Sequence, residues 1–464
     1  MKKEVINSFP GYEYIPGPEN KGKGRNMFRG VDLGFGGYVY AVPGIYVNVA
    51  MLDVANMHGE SIERLNYFGD YTKRYAELRK IRNCIKHRDF ETPRKMFGGK
   101  LAKYLNDEES ADNLSNALKL PCNQAYGISY TDYQLPTMHS MNKNNIVALR
   151  GALFMKTLQD EVTEMGYKVI HIKTDSIKIA NADDKIIEYC MNRASDYGYL
   201  FEHECTYDRI CLVNNSTYIA KYDDKGVRNK GGKKAGQWVA VADQFQVPYV
   251  FKSLFSHEDI EFDDLCETKS VAKGELYLDM NEDLPRLTRE EEIELDKIDK
   301  AWHSKAGSKP LEDLAKKLGY TFEQIGARYN ELCEKEAKTH NYVFVGRVGR
   351  FCPVKEGTGG GVLYRYQDGK YYAAAGTKGY RWLESEMVKT LGKEGDIDES
   401  YYNKLVDEAI DAIMQYGDFN IFANAEHYIY PDFINEPTGD PDVVPWDPND
   451  NGKDPADSEH PKDG

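Results

Sequence analysis

The chain has 464 residues, of which 41% are hydrophobic and 29% charged, with 34 tyrosines and a formal net charge of −15. That length exceeds what one core holds and predicts two to four substructures. No apolar run approaches the roughly 20 residues that span a bilayer, which excludes a helical membrane protein. The opening "MKKEVINSFPGYEY" lacks an apolar h-region, so no secretory signal is expected. The eight cysteines form no C-x-x-C pair, which argues against a zinc knuckle or a disulfide framework and for a reducing, cytoplasmic location. The acidity is uneven. Residues 431–464 hold ten Asp/Glu against two Lys, so −8 of the charge lies there and −7 in the other 430 residues. Seven prolines and few apolar residues predict that this tail is disordered. Global charge therefore does not exclude a basic, nucleic-acid-binding surface elsewhere.

In chain order, "RGVDLGFGGYVYAVPGIYVNVAML" (29–52) mixes glycine turns with β-branched residues and reads as sheet. Its last part is a buried strand that ends at Asp53. A polar, basic helix is predicted within 66–90, a second from about Asp112 to Tyr126, and a third over 145–166, closed by Gly166. "VIHIKTDSIKIA" (169–180) alternates β-branched and polar residues around Lys173-Thr174-Asp175-Ser176, which predicts a hairpin with Asp175 at its tip. A helix near 183–198 and strands near 200–222 follow. "NKGGKKAGQW" (229–238) is a Gly/Lys loop, 286–340 is helical and charged, and 341–382 is β-like. A Thr288…Glu291 capping box opens the first of those charged helices.

Three clusters carry chemistry. "LDVANMHGESI" (52–62) places an aspartate between a buried strand and a helix start. "KLPCNQAYG" (119–127) places Lys119, Asn123 and Tyr126 at i, i+4 and i+7, one helix face that suits a charged ligand with a flat ring. Asp175 is the third. Each has a plainer structural role: a helix N-cap for Asp53, a solvated face for the stripe, a turn former for Asp175.

In order and spacing the three resemble motifs A, B and C of the family B DNA polymerases. Asp53…Ser61-Ile62 is similar to D-x-x-S-L-Y-P-S-I, Lys119-x-x-x-Asn123-Gln124-Ala125-Tyr126-Gly127 to K-x-x-x-N-S-x-Y-G, and Lys173-Thr174-Asp175-Ser176 to D-T-D-S. "GFGGYVY" (34–40) is similar to the family's lead into motif A. The resemblance covers about residues 30–220. It implies template-directed addition of deoxynucleotides to a primer 3′-end by two-metal phosphoryl transfer, with primer-template DNA and dNTPs as partners. Asp53 and Asp175 would be catalytic and, with the backbone carbonyl of Val54, would hold two Mg²⁺ ions, Mn²⁺ being the substitute. Lys119, Arg82 and Lys86 would grip the triphosphate, with Arg79 able to replace either of the last two. Asn123 and Tyr126 would face the nascent base pair.

The pattern departs from the family in several places. Lys173 stands where the family has aspartate and would contact the primer backbone. His58 stands where a tyrosine screens against ribose, and Gly59-Glu60 makes motif A one residue longer. Gln124 replaces a serine, and Pro121 lies inside the motif B helix, where it should kink the helix. The family's K-K-R-Y element is reduced to "NSTY" ending at Tyr218, so Tyr218 with Lys221, Lys230, Lys233 and Lys234 are the expected DNA contacts. Only 52 residues precede Asp53, so no exonuclease domain is expected before motif A. Asp89-Phe90-Glu91 mimics an exonuclease D-x-E but reads as a helix end. This points to a compact polymerase of phage or mobile-element type in a bacterial cytoplasm, with a separate exonuclease subunit or other replication proteins as further partners. Residues 341–381 carry seven Arg/Lys against two acids, interleaved with aromatics. They read either as a small β module with an aromatic core or as a DNA-binding surface using Arg347, Arg350 and Arg365.

The expected fold class is α+β with right-hand polymerase architecture: an antiparallel palm sheet, helical fingers, a thumb and a small β-rich C-terminal module. The divisions are 1–65 (N-terminal strands and palm with motif A), 66–118 (fingers), 119–225 (palm with motifs B and C), 226–340 (thumb), 341–430 (basic module) and 431–464 (acidic tail). Two other functions fit the departures. His58 would allow a primase-like or ribonucleotide-tolerant polymerase, and Lys173 would allow a non-catalytic DNA-binding subunit.

Overall fold

The computed structural model describes residues 10–17, 24–129, 145–280, 287–304 and 307–425. The proposed acidic tail lies outside them. The chain is α+β, and its strand pairings are antiparallel. It divides into two compact units, Met1–Ala242 with Ala412–Gly464, and Asp243–Asp411.

The first unit opens with a small sheet of β1 (Tyr12–Ile15), β2 (Arg25–Phe28) and β3 (Val31–Asp32). Its main sheet has seven strands: β4 (Val39–Ala41), β5 (Gly44–Val54), β6 (Lys168–Lys173), β7 (Ser176–Ala180), β8 (Phe201–Leu212), β9 (Tyr218–Val227) and β10 (Trp238–Val241), in the order β10-β9-β8-β5-β7-β6-β4. The longer helices of the same unit are α1 (Met57–Arg64), α2 (Thr72–Lys86), α3 (Glu108–Ser129), α4 (Ile146–Glu164) and α5 (Asp184–Tyr197). Strand side chains alternate between faces. Ala50, Leu52 and Val54 of β5, with Ile177 and Ile179 of β7, pack on one face against α1, α4 and α5 through Met57, Leu153, Leu158 and Ile186. The other face carries a second core built from Tyr207, Ile210, Tyr218 and Ala220. Both faces are therefore covered, and β5, at the sheet centre, has five positions at 0–3% exposure.

Helix α4 is buried along the whole stretch Ile146–Gln159, including Arg150 and Lys156. Arg150 donates to the Tyr197 carbonyl at 2.6 Å and lies over the rings of Tyr197 and Tyr199. The D-x-E lookalike is a local turn, in which Asp89 accepts the Thr92 backbone N–H at 3.1 Å. Helix α3 runs unbroken across Pro121, so the division expected at 118/119 falls within one helix.

The second unit has two sheets. Strands β11 (Glu267–Ser270), β14 (Val348–Val354) and β17 (Arg381–Glu384) form one, in the order β11-β14-β17. Strands β12 (Glu275–Asp279), β13 (Tyr342–Gly346), β15 (Val362–Gln367) and β16 (Lys370–Ala373) form the other, in the order β13-β12-β15-β16. They share a core around Leu276, Leu278, Phe351, Leu363, Trp382 and Tyr402. Helices α6 (Arg289–Trp302), α7 (Lys309–Leu318) and α8 (Phe322–Thr339) lie between β12 and β13 in sequence and close their own small core around Ile298, Ile325 and Leu332. The Thr288/Glu291 capping box opens α6. A division at 340/341 is thereby corrected: β11 and β12 pair with strands beyond residue 341, so the module is completed by residues assigned to the thumb.

Leu52 is fully buried at the centre of the main sheet. Leu52→Ala is expected to destabilise the first unit by about 2–5 kcal/mol, through lost transfer energy plus a residual cavity. Urea denaturation followed by far-UV circular dichroism checks this.

Candidate active site

Asp53 lies near the C-terminal end of β5, and Asp175 lies in the two-residue turn joining β6 to β7. Because Asp53 pairs with Ser176 across the β5–β7 ladder, the two carboxylates start from adjacent backbone positions. The ladder extends one step further, with the Val54 N–H donating to the Asp175 carbonyl at 2.8 Å. Leu52 and Val54 point into the helix-covered core, so alternation sends the Asp53 side chain to the opposite face. The turn is itself held from outside. Thr174 adopts φ 58°, and its N–H donates to the Tyr38 carbonyl at 2.9 Å. Gly37 permits this approach, since a Cβ there would meet Thr174 Cγ2 at 2.8 Å on a backbone with φ 133°.

The electrostatics follow from this juxtaposition. Burial, then the neighbouring Asp175, Glu204 and Glu202 carboxylates, push the Asp53 carboxyl up to about 7, and Lys178 opposes them. Burial also raises Asp175. Lys178, on β7, is 2% exposed, and burial brings its ammonium down to about 8 against the pull of Cys205, Asp53 and Glu204. Its Nζ lies 3.1 Å from His171 Nδ1 and 5.0 Å from the Tyr218 ring centre. His171 Nε2 is 3.0 Å from the Asn215 carbonyl, which can only accept. The proton therefore sits on Nε2, leaving Nδ1 free to accept from Lys178. Burial and the Lys178 charge lower His171 to about 4, so its ring is neutral. Lys178 escapes detection in the sequence because alternation marks it as a solvated strand position, whereas the second core covers that face as well.

The helical part is tied to the sheet by an arginine. Arg79, on α2, is 3% exposed and forms ion pairs with Glu60 and, at 2.7 Å, with Glu63 of α1. Gly59 gives it passage, because a Cβ there would lie 2.6 Å from Arg79 Nε. Arg79 is therefore excluded as a phosphate-gripping alternative; it clamps α1 to α2. Arg82, one turn on, is part-buried, and its Nε has no hydrogen-bond partner among the described residues. Its charge reaches the Cys122 thiol on α3, which burial raises. Lys86 is exposed at the end of α2.

On α3 the expected stripe divides. Tyr126 turns inward and stacks on His58 with ring centres 3.9 Å apart and planes 3° from parallel. Asn145 Nδ2 donates to the Tyr126 hydroxyl at 3.0 Å and to the Phe35 carbonyl at 2.7 Å. Burial lowers His58 to about 4, so this ring is also neutral, and its Nδ1 is buried without a partner among the described residues. Asn123 and Lys119 stay exposed, about 4.5 and about 10 Å along the axis from Tyr126. The structure thus brings Asp53, Asp175, His58 and Tyr126 together from four joined elements, β5, the β6–β7 turn, α1 and α3, with Arg82 against α3.

The DNA-contact candidates fare differently. Lys173 is exposed and lies 3.4 Å from Ser216 Oγ, which joins the β6–β7 hairpin to the β8–β9 loop. Tyr218 is corrected: at 8% exposure it packs over Lys178 and against Tyr207 and His171, so strand burial removes it from any DNA-facing surface. Lys221 is part-buried with Nζ 5.9 Å from the Trp238 ring centre. Lys230, Lys233 and Lys234 are exposed on the β9–β10 loop. In the second unit, Arg347 bonds the Ala272 carbonyl and Arg350 the Asp263 carbonyl at 2.8 Å, both remaining exposed. Arg365 lies over Tyr372 at 5.5 Å.

Among the described residues, no three His, Cys, Asp or Glu side chains converge as a metal cage, and no helix is long and apolar enough to cross a membrane. No family model and no curated protein matches the chain. Among solved structures, the family B DNA polymerase from the hyperthermophilic archaeon Pyrobaculum calidifontis matches at 12% identity with a TM-score of 0.35, covering 84% of this chain and 46% of that one. The chain thus spans about half the length of that polymerase. A likeness of this size defines neither fold nor activity.

The raised Asp53 carboxyl has a measurable consequence. Between about pH 4 and about 7 the folded state binds more protons than the unfolded chain, so stability falls as pH rises and levels off above about 7. Asp53→Asn is expected to melt above wild type near pH 8, with the gap closing toward about pH 4. Thermal melts across that range check the sign.

Proposed function

We propose that the chain is a template-directed DNA polymerase, with right-hand architecture, that adds deoxynucleotides to a primer 3′-end. The observation that carries this reading is the placement of Asp53 and Asp175 on paired strands, bridged by the Val54–Asp175 backbone bond. Two half-buried carboxylates, both raised by burial and one of them also by its neighbour's charge, are a site short of positive charge. A hard divalent cation with oxygen ligands fits that donor set, and Asp53, Asp175 and the Val54 carbonyl would hold Mg²⁺, or Mn²⁺ in its place. When bound, such ions activate the attacking hydroxyl and stabilise charge on the transferring phosphoryl group.

The remaining work falls to this chain's own side chains. Arg82, Lys86 and Lys119 offer cations for a triphosphate, and the buried Nε of Arg82 has no partner among the described residues. Tyr126, backed by the neutral His58 ring, presents a fixed edge to the sugar and base, with Asn123 one turn away. Lys173 and the Lys230, Lys233 and Lys234 loop supply positive charge for a phosphate backbone. His58 carries a second reading, that of a ribonucleotide-tolerant polymerase, because an imidazole stacked flat on Tyr126 replaces the family's tyrosine.

Primer extension with Mg²⁺ and either dNTPs or rNTPs separates these readings. Asp53→Asn and Asp175→Asn are each expected to abolish extension while primer-template binding persists, and Lys173→Ala should be far milder. A rate within tenfold of wild type for either aspartate variant sinks the assignment. Lys119→Ala and Arg82→Ala should lower kcat/KM for the nucleotide by the equivalent of about 2–4 kcal/mol, the usual loss for one charge-stabilising donor. Single-nucleotide incorporation kinetics check this.

A further inference from the structure

The sheet β13-β12-β15-β16 has one face in the core of its unit and one face of rings. Leu276, Leu278 and Leu363 point into the core. The alternate positions carry Phe344 and Tyr342 on β13, Tyr277 on β12, Tyr364 and Tyr366 on β15 and Tyr371 on β16, with Tyr277 paired to Phe344 and Tyr364, and Tyr366 to Tyr371. None of these six rings belongs to that core. Tyr277 is the centre, 5.4 Å from Phe344, 5.5 Å from Tyr371 and 6.0 Å from Tyr366, each in edge contact. Tyr342 and Tyr371 stack with centres 3.8 Å apart and planes 1° from parallel. Phe344 is 60% exposed and Tyr371 36%. Water-facing rings of this extent are costly unless something covers them.

The charges at one end of the same sheet indicate what does. The turn into β12 brings Lys273, the residue after β13 is Arg347, and β16 opens on Lys370; all three are exposed. The register places these strand ends together. Two acids share that end. Glu275 accepts the Tyr277 hydroxyl at 3.4 Å, and Asp368 takes the Gln367 amide at 2.9 Å. Rings beside cations match unpaired bases on a phosphate chain, because every base has a π-face and every nucleotide a charge.

We propose that this face binds single-stranded nucleic acid, with bases stacked on Phe344 and Tyr371 and phosphates toward Lys273, Arg347 and Lys370. The proposal deepens the polymerase reading, on which it rests only for identifying the strand as unpaired template. The test is fluorescence anisotropy of a labelled oligo-dT with the full chain over a salt series, with melting temperatures as the folding control. Phe344→Ser with Tyr371→Ala should weaken binding about tenfold or more, consistent with the loss of stacking on two rings. Tyr371→Phe, which keeps the ring, should bind as wild type, and Glu275→Gln should bind more tightly. Replacing Lys273, Arg347 and Lys370 with alanine should flatten the log–log salt slope by about 0.7 per lost contact. Asp53→Asn should bind oligo-dT normally, so loss of extension in that variant leaves the stacking face standing. Wild-type affinity in the folded Phe344→Ser, Tyr371→Ala variant would overturn the proposal. So would a wild-type dimer that Phe344→Ser dissociates, since the face would then belong to a second copy.

Discussion

The site depends on a single backbone constraint, the pairing of β5 with β7 up to and one residue beyond Asp53. Two carboxylates that repel each other are held side by side because the ladder that positions them lies in a sheet covered on both faces. Neither strand can slip, since a one-residue shift would send Leu52, Val54, Ile177 and Ile179 out of their core. The repulsion is answered locally by Lys178, a charge placed under the same surface and held by a neutral histidine. An ammonium there costs desolvation, and the carboxylates it faces offset that cost. Burial and three neighbouring carboxylates together outweigh Lys178 at Asp53, so the arrangement is short of positive charge.

The geometry passes from sheet to helices through short, specific contacts. Arg79 holds α1 to α2 by two carboxylates, and its passage under Gly59 explains a glycine inside a helix where alanine would ordinarily be preferred. The His58–Tyr126 stack then joins α1 to α3, and Asn145 fixes the tyrosine from the start of α4. The rings that would meet a nucleotide are thus positioned by groups that would not touch it. In the second unit a similar division holds within one sheet: leucines face the core, and the alternate rings lie outside it.

Much of this was legible in the chain. Asp53 and Asp175, the hairpin between β-branched runs, and the helices over 145–166 and 183–198 follow from alternation, turn chemistry and capping, all of which act within a few residues. Other features were not legible, for physical reasons. Lys178 and Tyr218 occupy positions where alternation alone implies solvent, and only the covering of the second face buries them. Arg79, Arg82 and Lys86 are chemically interchangeable in sequence, and the acids of α1, 16 and 19 residues away and beyond the reach of any helix-spacing rule, capture the first of them. The boundaries at 118/119 and 340/341 failed for a related reason. A motif edge is not a helix end, and a strand is assigned to a sheet by its partner, which here lies across a three-helix insertion.

By itself the sequence determined the local elements, the acidic character of the chain, and the identity and order of the residues proposed to carry phosphoryl chemistry. Those depend on covalent neighbours and on periodicities of two and 3.6 residues. The tertiary structure alone decided which charges are buried, which arginine is a clamp, which rings pair, and which tyrosines face water. These are properties of contacts between segments tens to hundreds of residues apart. Burial of a polar group depends on what lies above it, and the chain around that group does not record it.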